Sequence, residues 1–136
     1  MLDSSESYEK LKRIGIKELN KLHFVCIQYG KTYDKGIRDE ATLENIVFKI
    51  HRHAGKRSSP ITIAAEAIHD IIKNHPFWDG NHRTAFEIAR LILVIFGSRL
   101  DVAPKEAERF MRDIDKKNLP LKEIEKWLRD NIKLLR

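Results

Sequence analysis

The chain has 136 residues, of which 42% are apolar and 34% charged, and its 26 Lys and Arg against 20 Asp and Glu leave a formal net charge of +6. That length and apolar share support a single globular domain, 1–136, with a sizeable core, and they exclude a disordered or fibrous chain. The basic excess admits a polyanionic partner without demanding one, and a single cysteine, Cys26, excludes an internal disulfide framework.

The acidic, polar start "MLDSSESYEK" does not read as a secretory signal, which with the lone cysteine points to the cytoplasm. "IKELNKLHFVCIQYG", residues 16–30, predicts a helix with Cys26 as a small buried hydrophobe. The next segment, "GKTYDKGIRD", holds two glycines and is the first candidate functional loop. Asp39 then caps a second helix, "DEATLENIVFKIH". If the chain holds any β structure, it is expected as a short hairpin, with "HRHAGKRSS", residues 51–59, the best segment for it. Ser59-Pro60 opens a third helix, with Ile61, Ala64, Ile68, Ile71 and Ile72 on one face.

After the polar decapeptide "HPFWDGNHRT" comes "TAFEIARLILVIFG", interrupted only by Glu87 and Arg90; a helix apolar around its circumference belongs in the middle of a domain. Its run "LILVIF" is far too short to cross a bilayer, so no membrane association is expected. Pro104 and Pro120 open two amphipathic helices, the first striped by Ala107, Phe110, Met111 and Ile114, the second by Leu121, Ile124, Leu128 and Ile132. The pattern predicts an all-α bundle of about six helices around a buried central one.

Residues 75–84 concentrate the chemistry. Gly80 admits backbone angles closed to other residues and lets a ligand approach the main chain. Asn81 is a good N-cap, so the free amides of the next turn would form an anion site suited to phosphate. Arg83 can add a bidentate contact to that phosphate, and Asp79 beside it suits Mg²⁺, which takes one or two carboxylates. His75 can accept a proton from an attacking hydroxyl, since an unperturbed histidine titrates at about 6.5. Taken singly, each has a structural explanation: a partly buried histidine, an Asp-Gly turn, a solvated arginine. Phe77 and Trp78 read as packing residues. Their conjunction at the mouth of an apolar helix points to a nucleotide site.

"HPFWDGNHRTAF" resembles the signature of the Fic/Doc family, His-Pro-Phe-x-(Asp/Glu)-Gly-Asn-(Gly/Lys)-Arg, and its ending "DGNHRTA" is similar to the Doc branch. "YGKTYDKGIRDEATLENIV" and "AAEAIHDIIKNHPF" extend the likeness over roughly residues 20–100. The resemblance implies a helical Fic-type fold in which His75 is the base on the acceptor hydroxyl and Asp79 the Mg²⁺ ligand. Gly80, Asn81, His82 and Arg83 would then hold the phosphates of ATP. Fic proteins mostly transfer AMP to a protein hydroxyl, whereas Doc toxins transfer the terminal phosphate to a translation elongation factor.

Two departures bear on that choice. Phe86 stands where Fic transferases usually carry another Arg, which favours the Doc branch. His82 stands where Fic has Gly and Doc has Lys, and a histidine is equivalent to neither. A self-restraining (Ser/Thr)-x-x-x-Glu-(Gly/Asn) motif is not completed at Ser5–Glu9 or at Thr62–Glu66, so the resemblance implies a separate antitoxin partner. The expected protein is thus a Doc-like phosphotransferase toxin, with AMP transfer, or a weakened Fic-like binding domain, as alternatives.

Two rival readings come from other segments. "AIHDIIKN" with His51, His53 and Asp79 superficially resembles a metal-dependent phosphohydrolase set. "KIHRHAGKR" is basic but lacks interleaved aromatics, so it reads as a solvated loop rather than a nucleic-acid contact. In a Fic fold it would fall where a flap guides the substrate backbone.

Overall fold

The computed structural model describes residues 4–28 and 36–135. Among them, in order, are α1 (Ser4–Leu11), α2 (Ile16–Gln28), α3 (Glu40–Lys56), α4 (Pro60–Asn74) and α5 (Asn81–Ile95). Then come β1 (Ser98–Leu100), α6 (Pro104–Lys116), α7 (Leu121–Asn131) and β2 (Ile132–Leu134). The fold is all-α in character, as the apolar periodicity predicts. The first part of the candidate loop at 30–39 lies outside the described residues.

α4 and α5 form the centre. α4 buries Ile63, Ala64, Ala65, Ala67, Ile68, Ile71 and Ile72, and its small residues let α5 pack close along it. α5 also meets α1, α2, α6 and β1, the central position its composition predicts. Its burial is one-sided, however: Ala85, Ile88, Ala89, Ile92 and Leu93 face the core, whereas Leu91 and Val94 are exposed. α7 covers α4 with Ile124 and Leu128, two members of its predicted stripe.

Two local expectations need correction, and one helix was not expected. No hairpin forms at 51–59, because the face of Leu43, Ile46 and Ile50 continues at helical spacing to Ala54 and carries α3 through Lys56. Arg57 then ends the helix in a left-handed conformation (φ 55°), with its N–H on Ala54 O and that of Ser58 on His53 O. The flap expected from the resemblance therefore does not form there. Ile132 does not extend the last helical stripe; it begins β2, whose residues 132–134 pair antiparallel with 100–98 of β1. Finally, "SSESYEKL" forms a helix that its polar composition hid, anchored by the buried Tyr8 and Leu11.

α3 and α4 are joined by a polar cluster. Lys49 lies 3.1 Å from Asp70 and 3.6 Å from Glu66, while His53 donates to Glu66 and meets the Ser58 hydroxyl at 2.7 Å. Burial pushes the Glu66 carboxyl up, but the bond and charge of His53, then Lys49, outweigh it and hold it below its ordinary value. Lys49 is held above the ordinary ammonium value by its bond to Asp70, against the opposing effect of burial.

The depressed carboxyl contributes stability above its unfolded value of about 4.3, which is lost as pH falls through the folded value. The raised ammonium contributes at all pH values below about 10.4 and fades only as pH rises through its folded value. Glu66→Gln should therefore cost about 1 kcal/mol at pH 7 and reduce the acid-induced loss of stability below about pH 4.3. Thermal melts across this range check it; identical acid slopes in the two proteins would remove Glu66 from the acid response.

Candidate active site

The loop between α4 and α5 is shaped from both ends. At the first, α4 stops when His75 turns left-handed (φ 47°, ψ 65°), its N–H still bonded to Ile71 O at 3.0 Å. For a residue with a Cβ that geometry costs roughly 1–3 kcal/mol and must be imposed by its surroundings. The Arg38 guanidinium helps impose it, donating from Nε to His75 O and from a terminal nitrogen to Asn74 O, both at 2.6 Å. These are carbonyls at the end of a helix, where a cation is favoured.

Main-chain bonds extend this clamp. Arg38 N and Asp39 N donate to Pro76 O at 2.8 and 3.1 Å, Trp78 N donates to Gly36 O at 3.2 Å, and Ile37 bridges Phe77 antiparallel. Asp39 itself caps α3, as predicted, accepting from Thr42 N at 3.1 Å. The Thr42 bonds hold its carboxyl below the ordinary value. One short segment thus starts α3 and fixes the entry to the polar loop.

At the other end Phe77 is fully buried and stacks on the His23 ring, centroids 3.7 Å apart and planes 6° from parallel. The His23 Nε2–H donates to Asp79 O at 2.7 Å, fixing the main chain of the next turn. Gly80, at φ 75°, occupies the cap position of α5, in a region where a side chain would be strained. The sequence-based cap at Asn81 is therefore displaced by one residue. Asn81 is instead the first helical residue, and its buried amide folds back on the loop: Oδ1 accepts from Phe77 N at 3.1 Å and Nδ2 donates to Phe77 O at 2.8 Å. This satisfies two backbone groups that burial of Phe77 takes from water. The first-turn N–H groups of Asn81, His82 and Arg83 have no helical acceptor by construction, Thr84 N being the first to reach back, to Gly80 O.

This loop floors a cleft of about 900 Å³ between α5 and α6. His75, Asp79, Gly80, Asn81, His82 and Arg83 all line it, so every sequence-derived candidate reaches one space. Arg83 and the Asp79 carboxylate have no hydrogen-bond or ion-pair partner among the described residues, leaving a guanidinium and a carboxylate available to a ligand. The other arginines on the walls are engaged: Arg90 with Glu87 at 3.0 Å, and Arg112 with Glu108 at 3.1 Å. Phe86 faces the cleft beneath the Arg90 guanidinium, and Leu100, Val102, Ala107 and Met111 line an apolar side. Trp78, predicted to pack, is exposed at the rim.

One cleft residue gave no signal in the sequence. Asp115, near the end of α6, sets Oδ2 3.0 Å from His82 Nε2 and 3.9 Å from His75 Nε2. It follows the Met111–Ile114 stripe inside a charged run, where nothing local distinguishes it from a solvated carboxylate. His23 was more legible, as a histidine among Leu19, Cys26 and Ile27 on an apolar face.

The rival constellations do not assemble. His51 donates to Ile14 O at 2.6 Å and His53 to Glu66, while His69 faces Asp70 at 3.4 Å. Among the described residues no group of three or more His, Cys, Asp or Glu is placed to hold a metal ion. Glu66 and Glu9, of the two incomplete self-restraint motifs, face His53 with Lys49 and Lys12 respectively. No described helix is long and apolar enough to cross a membrane.

No curated protein matches the chain. The model of the Fic/DOC family matches residues 11–93, from the last residue of α1 through α2, α3, α4 and the polar loop to the buried Leu93 of α5. That is more than half of the sequence, and it contains both the clamp at 36–39 and the loop it shapes. The chain belongs to the Fic/DOC family.

Proposed function

We propose that this protein is a Doc-like transferase that moves the terminal phosphoryl group of ATP to a hydroxyl side chain of a target protein. The observation that carries the reading is the Arg83 guanidinium, without a hydrogen-bond or ion-pair partner among the described residues, beside the first-turn amides of α5 and in the same cleft as His75. Those amides and Arg83 would hold phosphate oxygens, and Gly80 lets them approach the main chain. The cleft volume lies within the range of nucleotide-sized pockets, and its apolar wall suits a base. Asp79 fits a Mg²⁺ ion, which needs only one or two carboxylates beside phosphate and water and would offset phosphate charge when bound. The acceptor hydroxyl gives its proton to the His75 ring while its oxygen attacks the terminal phosphorus and the bond to ADP breaks.

Phosphoryl transfer is favoured over AMP transfer by Phe86. Where the AMP-transferring relatives usually place a second arginine, this cleft has an aromatic ring, and nearby Arg90 is paired with Glu87. By the same resemblance the target is a translation elongation factor, the protein acts in the cytoplasm, and a separate antitoxin restrains it.

The test is incubation of the protein with Mg²⁺, a cell lysate and ATP labelled at either the γ- or the α-phosphate. Protein-bound γ-label without α-label is the expected result. Bound α-label would establish AMP transfer instead, and neither label, from folded protein, would leave a Fic-like domain that only binds.

A further inference from the structure

We infer that Asp115 is a positioning residue for transfer, holding the His75 and His82 imidazoles in register through one carboxylate oxygen. The inference rests on the reading of His75 as the base. It also extends the site into α6, beyond the residues that carry the family match.

Three observations carry it. The same oxygen, Oδ2, approaches both rings, at 3.0 Å from His82 and 3.9 Å from His75. The carboxylate stands on a fixed support: Lys73, in the last turn of α4, donates to the Ile114 carbonyl at 2.9 Å and to Asn118 Oδ1 at 2.5 Å. Ile114 is itself buried in the core. Two residues before His75, the chain thus grips α6 at Ile114 and the turn after it at Asn118, on either side of Asp115, while Arg38 grips the His75 and Asn74 carbonyls from the opposite segment. Finally, Asp115 accepts from His82 Nε2, so the ring at position 82 is tied to α6 rather than left to rotate in the cleft.

The His82–Asp115 pair is about two-fifths exposed on both sides. At that exposure an ion pair adds little to stability, so removing it should move the melting temperature by no more than about 4 °C. Its effect belongs to orientation, since a base displaced from its approach loses rate without losing ligand.

The test uses the full chain. Asp115→Asn keeps the shape and removes the charge, and Asp115→Ala removes both. Each should lower kcat by about 10-fold, part of the 10²–10⁴-fold that a general base supplies, with KM for ATP within about twofold. Nitrogen-15 spectra of the histidine rings should show His75 and His82 shifting together in Asp115→Asn while His51 and His53 stay in place. Wild-type kcat in both variants, or a raised KM at constant kcat, would overturn the assignment. If Asp115→Ala does not fold, Asp115→Asn decides. If the wild-type protein transfers nothing, the reading of the activity fails; the spectra then decide for Asp115 alone, and movement of His82 without His75 counts against it.

Discussion

In His75→Ala, phosphoryl transfer should fall by roughly 10²–10⁴-fold, the usual contribution of a general base, while the fold persists. The fold should persist because the bonds that fix this position are made by its main chain: the N–H to Ile71 O, and the carbonyl to Arg38 Nε. Its ring is half-exposed, so truncation leaves no cavity in the core. The expected signature is a collapse of kcat with KM for ATP little changed, because Arg83 and the helix amides remain. Circular dichroism and a thermal melt on the same sample establish the fold. Full activity in folded His75→Ala would remove the residue from the chemistry.

Phe77→Ala should be the most destabilising single change in the loop, at about 3–5 kcal/mol. The ring is fully buried and stacked on His23, and neither the cavity nor the exposed face of His23 can be filled by a small local shift. The effect should reach the site as well. His23 holds Asp79 O and Asn81 holds both backbone groups of residue 77, so losing the anchor loosens Asp79 and the start of α5 together. Denaturant melts measure the first effect and the rate of residual transfer the second. Trp78→Ala is the internal comparison: its side chain is exposed, and its removal should change stability by less than about 0.5 kcal/mol. Equal losses in the two variants would mean that Phe77 is not the anchor.

The helices were legible where an apolar face repeats every three to four residues, and prolines 60 and 104 mark two of their starts. The candidate site was legible because its residues lie within ten positions, where one turn and one helix start bring them together. What stayed hidden depends on distance along the chain. Asp115 meets His82 across thirty-three residues, Arg38 meets His75 across thirty-seven, and no local pattern encodes such a meeting. The hairpin expectation failed for a different reason. Helix α3 runs through Gly55 to Lys56, and the buried Ala54 continues its apolar face. Asn81 was misassigned by one position because a good capping residue followed a glycine that takes the cap geometry more cheaply.

Helix α7 and strand β2 lie outside the family match, yet α7 closes the exposed side of α4 with Ile124 and Leu128, and β2 pairs with the strand that follows α5. The matched segment and the unit of folding therefore do not coincide. A fragment cut at the end of the match would keep the signature loop while uncovering the apolar back of the helix that aims His75. It would carry the family's sequence on a support too loose to present it.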